Sequence, residues 1–204
     1  MAALTRDDLW SLEEYAEARP AFRAEVMAHK KHRQLQLGDN ARLYFEDALT
    51  IKYQIQEMLR IERIFEAEGI REELDAYNPL IPDGRNWKAT FMIEYPDPAL
   101  RSQRLAEMIG VEDKLWLQVG DDERIYPIAD EDLDRETADK TSSVHFLRFE
   151  LTPNMVAAAH GGAALYAGVD HPAYQVERFE IPSDIRDALI ADLDPKALHL
   201  SLIH

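Results

Sequence analysis

In the first third of the chain, apolar residues recur every three or four positions, which is the spacing of an amphipathic helix. Capping boxes that begin at Thr5 and Ser11, followed by Pro20 at a suitable first helical position, predict three short helices in succession. Gly69 is the expected stop of a longer helix that begins at Ile51. The predicted helices of this part cover about 6–10, 12–18, 20–31, 51–68 and 70–77.

Alternation of apolar and polar residues predicts strands elsewhere. Leu35 and Leu37, and then Leu43 and Phe45, alternate with polar residues on the two sides of Gly38-Asp39-Asn40, which predicts a β-hairpin. The predicted strands of the second half cover about 87–95, 114–119, 124–128, 143–151, 164–169 and 175–181. The predicted helices between them cover about 98–109, 153–160 and 184–192.

Helices in the first half and strands in the second indicate an α+β fold, in which N-terminal helices and a β-hairpin pack with a mainly antiparallel sheet that carries inserted helices. The sequence has no long Pro/Gly/Ser-rich linker and no repeat of 20–50 residues, so we expect a single domain over 1–204. The alternative is a subdivision near residue 84, with a helical and hairpin part over 1–84 and a sheet-rich part over 85–204.

The composition narrows the classes of function. The 204 residues include 23 Lys and Arg against 39 Asp and Glu, which gives a formal net charge of −16. This charge argues against binding to duplex nucleic acid or to an anionic membrane surface. The absence of Cys excludes disulfides and thiolate-ligated metals, and no run of about 18 apolar residues or signal-like N-terminus is present. We therefore expect an acidic, soluble, cytoplasmic protein, without nucleic acid or membrane among its partners.

The negative charge is unevenly distributed. Residues 1–63 carry 10 basic and 11 acidic side chains, net −1, whereas residues 64–204 carry 13 and 28, net −15. Within the latter, Asp121–Asp139 holds nine acidic residues against two arginines, net −7. This segment is typical of a solvated or partner-facing loop. The nearly neutral N-terminal part leaves room for an anionic ligand.

One face of the predicted 51–68 helix is a candidate site. Gln56, Arg60 and Arg63 share that face at i, i+4 and i+7, with Tyr53 and Glu57 beside them. An arginine there can bind a carboxylate or phosphate while the carboxylate of Glu57 orients it. The alternative is a solvated helix face with ordinary ion pairs.

The segment Asp170-His171-Pro172-Ala173-Tyr174 is a second candidate. An Asp, a His and a Tyr in a proline-fixed loop suit a general base or a metal-ligand corner. The alternative is a structural turn, in which Asp170 accepts hydrogen bonds from backbone amides and His171 packs.

The strand around His145 is a third candidate. Period two places His145 with Leu147 and Phe149 on one face, and Phe146 with Arg148 on the other. A polar residue among such neighbours either lines a pocket or is a hydrogen-bonded core or edge residue.

Motifs with an established mechanism are absent. The sequence has no Gly-rich phosphate loop, dinucleotide fingerprint, nucleophile elbow, His-Glu-x-x-His or Glu-x-x-His pair. Metal binding through scattered side chains stays open. The candidate metal ligands are Glu57, Glu62, His145, Asp170 and His171.

Several collinear segments resemble a bacterial family of proteins of unknown function, domain of unknown function 3501. They are Leu12–Tyr15, Arg19-Pro20, Leu37–Asn40, Phe45-Glu46, Tyr53–Arg60, Glu62-Arg63, Glu73–Asn78, Arg148-Phe149 and Asp170–Tyr174. The stretch Gln56–Arg60 is the most specific of them. The resemblance implies an accessory role beside an iron–sulfur oxidoreductase or a rubrerythrin-like protein, in a redox or oxidative-stress system.

Two hypotheses follow. The leading one is a cytoplasmic accessory component that docks with such a redox protein. The other is an enzyme or binder of a small ligand or metal, whose site combines the helix face with the 170–174 segment. The residues of the hypothetical ligand site are Tyr53, Gln56, Glu57, Arg60, His145, Arg148, Asp170, His171 and Tyr174.

Overall fold

The structure, a computed structural model, describes residues 2–196. Within these residues the chain forms six α-helices. They lie in the regions predicted to be helical, but several begin or end at other residues than predicted. The helices are α1 Leu12–Lys30, α2 Ala48–Glu62, α3 Ala67–Tyr77, α4 Pro98–Glu107, α5 Pro153–His160 and α6 Ser183–Ala191. Short 3-10 turns cover Arg6–Asp8, Asn78–Leu80 and Val111–Asp113. None of the helices in residues 2–196 is both long and apolar enough to cross a membrane.

Within residues 2–196, eight strands form two antiparallel sheets, and their combination with the helices confirms the α+β class. The strands are β1 Gln34–Leu37, β2 Ala41–Phe45, β3 Asn86–Ile93, β4 Leu115–Val119, β5 Ile128–Ala129, β6 Val144–Glu150, β7 Leu165–His171 and β8 Tyr174–Glu180. The five-stranded sheet has the order β1-β2-β3-β6-β5, and the three-stranded sheet has the order β4-β7-β8. All neighbouring strands pair antiparallel.

The inward faces of the two sheets share the largest hydrophobic core. It includes Phe91 and Phe149 from the five-stranded sheet and Leu117 and Val169 from the three-stranded sheet, all almost completely buried. Alternation along each strand produces this burial, since every second side chain points to the same face. The predicted alternation on β6 is confirmed, because its buried residues are those that share a face with His145.

The helices of the first half have hydrophobic cores of their own. Ile55 and Leu59 of α2 pack with Ile70 and Leu74 of α3 in one cluster. A second cluster joins residues of α1 to Tyr53 of α2. These helices therefore hold one another together, and they lie beside the five-stranded sheet without extending its core.

The prediction of separate helices over 12–18 and 20–31 is wrong, because α1 runs through Pro20. Tyr15, Phe22 and Val26 on the two sides of the proline are buried in the same cluster. An interior proline costs about 3 kcal/mol. Continuous burial along one face of the helix offsets this cost.

The predicted stop at Gly69 is also wrong. α2 ends at Glu62, and the next residue, Arg63, adopts the left-handed conformation, with φ 54° and ψ 45°. Gly69 instead lies in α3, where a Cβ would come within 2.7 Å of Cγ2 of Ile64. The glycine therefore allows Ile64 to pack against α3 after the chain turns.

Two predicted elements of the second half differ as well. The expected strand 124–128 is interrupted: Ile125 forms a bridge with Leu117 of β4, and Ile128 belongs to β5, which pairs with β6 of the other sheet. Pro127 lies between the two and has no N–H to donate to a ladder. The residues from Asp170 to Tyr174 are not a free loop, since β7 and β8 extend until His171 pairs with Tyr174 across a two-residue turn.

The five-stranded sheet crosses the boundary suggested near residue 84. β2 lies before residue 84 and β3 after it, and the two strands pair along their length. Phe45 is opposite Ala89 at one end, and Ala41 is opposite Ile93 at the other. A division of the chain at residue 84 would cut this sheet through its middle.

Candidate functional site

The predicted helix face is built into a hydrogen-bonded network between α1 and α2. Glu57 accepts from the guanidinium of Arg19 at 2.7, 3.0 and 3.1 Å, from the hydroxyl of Tyr53 at 3.0 Å and from that of Tyr15 at 3.3 Å. The side chain of Glu57 is 13% exposed. The hydrogen bonds from Arg19 hold the pKa of Glu57 below its usual value. Glu57 of α2 thus accepts hydrogen bonds from two residues of α1 and one of α2, and it connects the two helices.

Gln56 and Arg60 have different surroundings. Gln56 is completely buried, and its carbonyl oxygen accepts from the backbone N–H of Trp10 at 2.7 Å. It therefore fixes the segment that leads into α1. Arg60 is exposed and makes no side-chain hydrogen bond to any residue of 2–196.

The 170–174 segment ties the β7–β8 hairpin to its neighbours. Asp170 accepts from Arg124 at 2.6 Å. His171 is buried, with Nε2 2.7 Å from the carbonyl oxygen of Ile109, while Nδ1 accepts from the N–H of Ala173 at 3.0 Å. These partners indicate the Nε2–H tautomer and a structural role.

Tyr174 connects the hairpin to the β1–β2 turn. Its hydroxyl donates to the carbonyl oxygen of Leu37 and accepts from the N–H of Asn40 at 3.0 Å. Among residues 2–196, no hydrogen bond joins this hairpin to Glu57 or Gln56. The structure therefore does not assemble the helix face and the 170–174 segment into one hydrogen-bonded site.

The structure brings His145 together with two acidic residues that the sequence analysis did not select. His145 points inward from β6 and is 0% exposed, Asp130 follows β5, and Glu112 lies in the 3-10 turn Val111–Asp113. One ligand atom from each side chain lies within 4.8 Å of the other two. Within residues 2–196, one group of three or more His, Asp and Glu side chains has its ligand atoms this close together, and it is this one.

Acceptors surround both ring nitrogens of His145. Nδ1 lies 2.6 Å from Oδ2 of Asp130. Nε2 lies 2.9 Å from Oγ1 of Thr141, 3.0 Å from the carbonyl oxygen of Ser142 and 3.8 Å from Oε2 of Glu112. The hydroxyl of Thr141 donates to Glu112 at 3.3 Å. Hydrogen-bonding partners on both sides fix the orientation of the ring.

Asp130 is held in a conformation that few non-glycine residues adopt. Its φ is +51°, in the left-handed region that Asp tolerates better than most side chains. Its Oδ1 accepts from the backbone N–H of Phe146 at 3.0 Å and from Arg135 at 3.1 Å. These bonds direct the other oxygen, Oδ2, toward His145.

Glu112 faces an excess of negative charge. The pKa of Glu112 is raised to about 7, chiefly by burial. A backbone hydrogen bond and the charge of His145 act in the opposite direction, and the neighbouring Glu136 acts in the same direction as burial. The side chain of Glu112 is only 9% exposed. Glu136 is fixed by the backbone N–H of Gly110, which donates to its Oε2 at 2.7 Å. Glu112 therefore keeps its proton to a higher pH than an exposed glutamate does.

The cluster lies at the wall of an acidic cavity of about 460 Å³. The segment Asp130–Glu136 forms much of the lining, together with Glu112 and Asp113. The acidic stretch Asp121–Asp139 was predicted to be a solvated or partner-facing loop. Asp130, within it, turns inward onto His145. Imidazole and carboxylate donors together suit Zn²⁺, Fe²⁺ or Mn²⁺.

The other candidates lie apart from this cluster. Arg148 is on the opposite face of β6, where it forms ion pairs with Glu131 at 2.7 Å and Glu150 at 2.6 Å. Of the five predicted metal ligands, only His145 belongs to the cluster. The sequence signal for Asp130 was the dense acidic stretch, whereas nothing local marked Glu112.

The comparisons with known proteins agree with this architecture. The family described as "Protein of unknown function (DUF3501)" matches residues 3–193. A crystal structure of a protein of unknown function from Burkholderia pseudomallei K96243 has a TM-score of 0.90 and 52% sequence identity, covering 95% of this chain and 100% of that one. No curated protein matches this chain.

Proposed function

The chain belongs to the DUF3501 family of proteins of unknown function, and we propose that it binds a divalent first-row transition-metal ion through Glu112, Asp130 and His145. The observation that carries the proposal is the convergence of their three ligand atoms within 4.8 Å. An ion about 2.0–2.2 Å from each of two donors would fit between Nε2 of His145 and Oε2 of Glu112, which are 3.8 Å apart. Asp130, 2.6 Å from Nδ1, would then hold the ring in the orientation that directs Nε2 to the ion.

The charge balance supports a metal rather than a simple buried ion pair. Glu112 and Asp130 flank one imidazole, and Glu136 lies beside Glu112, where its charge adds to the effect of burial in raising the pKa of Glu112. Arg135 is already shared between Asp130 and Asp132. A dication would replace the proton and balance the negative charge that remains.

Metal binding would release protons. A metal ligand must offer a lone pair, so a ring nitrogen of His145 loses its hydrogen and Glu112 becomes a carboxylate. The affinity should therefore rise with pH through about 7, where Glu112 titrates. The backbone carbonyl of Ser142 and the hydroxyl of Thr141, both within 3.0 Å of Nε2, are further oxygen donors beside the ion.

Isothermal titration calorimetry with Mn²⁺, Zn²⁺ and, without oxygen, Fe²⁺ tests the proposal. We expect one ion per chain. Loss of a residue that only hydrogen-bonds to a metal ligand typically weakens metal binding roughly 10- to 100-fold. Glu112→Gln and His145→Gln, which change ligands themselves, should weaken it by at least as much. Asp134→Asn is the matched control, because Asp134 is an exposed acid that lines the same cavity.

Three outcomes would contradict the proposal. They are no binding by the wild type, equal loss in the Asp134→Asn control, and unchanged binding in Glu112→Gln. Circular dichroism on each variant separates loss of a ligand from loss of the fold. The Glu112→Gln variant keeps the experiment decisive if removal of the buried imidazole prevents folding.

The accessory role beside an iron–sulfur or rubrerythrin-like redox protein, and the cytoplasmic location, stay proposals that the family resemblance supports. An iron-binding site made of His and carboxylates is compatible with such a role. Affinity purification of the tagged protein from its native host tests it. Recovery of an iron–sulfur or rubrerythrin-like partner is expected, and a preparation that contains neither would contradict it.

A further inference from the structure

A long groove separates the helices of the first half from the outer face of the five-stranded sheet. It consists of two adjoining cavities of about 410 and 430 Å³, which share Tyr77, Leu80 and Phe146 in their walls. Each has the size of an ordinary small-molecule site. The groove lies against Phe146 and Arg148, on the face of β6 opposite to His145. Its rim shares Glu131 and Asp132 with the acidic cavity beside the proposed metal centre.

The groove exists because the helices and the sheet have separate cores. Tyr44, Thr90 and Phe146 lie side by side on neighbouring strands and form the floor. α2 and α3 bury their own apolar residues against each other. The outward-facing side chains of the sheet are therefore covered only in part.

The charge in the groove differs from that of the whole chain. One cavity is lined by two cationic and one acidic side chain, and the other by three of each. The lining of the groove therefore has one more cationic than acidic side chain, in a chain of net charge −16. A small anion therefore meets less repulsion here than over the rest of the molecule.

Lys88 is the cation best placed to bind an anion. It is half-buried, and its ammonium donates to the carbonyl oxygen of Pro79. Arg148 and Arg135, by contrast, are already paired with Glu131 and Asp132.

The remaining donors of Lys88 lack an acidic partner. No carboxylate of residues 2–196 lies within 4.0 Å of its ammonium, although Asp83, Glu131 and Glu150 act on it from farther away. Burial, followed by the charge of Arg148, lowers the pKa of Lys88. An ammonium has three donors, so two of them are available to a ligand.

We propose that this groove binds a small organic acid with an apolar body. Its carboxylate accepts hydrogen bonds from Lys88, and its apolar part covers Phe146, Tyr77 and Leu80. The competing ligand within the groove is an amine on Glu46, whose oxygens already accept from the hydroxyls of Thr50 at 2.5 Å and of Thr90 at 3.0 Å. The carboxylate of Glu46 already accepts hydrogen bonds from two hydroxyls, whereas the ammonium of Lys88 still has N–H groups to donate. The groove therefore favours an anion.

Calorimetric titration of the full-length protein with 2-naphthoate, and separately with 2-naphthylmethylammonium, tests the proposal. We expect naphthoate to bind at least tenfold more tightly than the amine. Lys88→Met should weaken naphthoate binding about ten- to hundredfold, which is the usual contribution of a hydrogen bond to a charged group. Lys31→Met is the matched control, since Lys31 is exposed and does not line the groove.

Amide chemical-shift changes from nuclear magnetic resonance locate the ligand. Changes at Thr90 and Phe146 support the proposal. Binding that is equal in Lys88→Met and wild type, tighter binding of the amine, changes confined to another surface, or no detectable naphthoate binding would each overturn it. None of these results depends on a metal ion, so this test and the metal titration fail independently.

Discussion

Glu112→Gln should change the pH dependence of the stability of the metal-free protein. The substitution keeps the size of a side chain that is 9% exposed and removes its titration. In the folded wild type, burial and the adjacent carboxylate of Glu136 raise the pKa of Glu112 from its ordinary value of 4.5 to about 7. The folded state therefore prefers the protonated acid.

The sign and size follow from proton linkage. A group whose pKa is raised by folding contributes stability that is fully present below the unfolded pKa and is lost as the pH rises through the folded pKa. For Glu112 this window runs from about 4.5 to about 7. A tenfold difference in proton affinity between the folded and unfolded states corresponds to about 1.4 kcal/mol, so Glu112 should cost the wild type about 2–3 kcal/mol between about pH 5 and pH 8.

Urea denaturation in EDTA at about pH 5 and pH 8, followed by circular dichroism, measures this difference. The unfolding free energy of Glu112→Gln should gain about 2–3 kcal/mol relative to wild type on going from the lower to the higher pH. Asp113→Asn removes an exposed carboxylate one residue away and should follow the wild type. Parallel pH profiles of Glu112→Gln and wild type would refute the reasoning about this buried acid.

Two other substitutions test contacts that stabilise the fold. Gly168→Ala should lower the unfolding free energy by about 1–3 kcal/mol, because the new Cβ would meet the ring of Trp116 at 2.4 Å; thermal melts that match the wild type would contradict this. Glu57→Gln should destabilise by about 1–3 kcal/mol, since Arg19 and Tyr53 lose a charged acceptor. Chemical denaturation measures this second effect, and an unchanged midpoint would show that the α1–α2 network contributes nothing.

Short-range pattern predicted much of the fold. Alternation around His145 correctly placed that residue with Leu147 on one face of β6 and Arg148 on the other, and the structure shows that the face of His145 is the buried one. The hairpin of β1 and β2 also follows from alternation on the two sides of a Gly-Asp-Asn turn. These features depend on neighbours within a few residues, which a sequence displays directly.

The errors occur where distant contacts decide the conformation. Pro20 stays within α1 because residues of the helix before it and after it are buried in one cluster with Tyr53 of α2. Arg63 ends α2 in a left-handed conformation that sequence rules assign to glycine. Tertiary packing outweighs the local preference in both cases.

The candidate metal centre was only partly predictable. His145 was selected from the sequence, but Asp130 and Glu112 come from a strand end and a 3-10 turn that the fold brings next to it. Glu57 and His171 have the right chemistry for a site, yet their hydrogen-bonding capacity is used within the structure. Residue type and local spacing do not reveal which polar groups already have partners.

The most direct test of the metal proposal is a crystal structure of the protein grown with Zn²⁺ and measured at the zinc absorption edge. We predict an anomalous difference peak between Glu112, Asp130 and His145, at a bonding distance of about 2.0–2.2 Å from at least one ring nitrogen of His145 and one oxygen of Glu112. An anomalous map without a peak at these side chains, whether empty or with zinc bound elsewhere, would contradict the proposed metal centre.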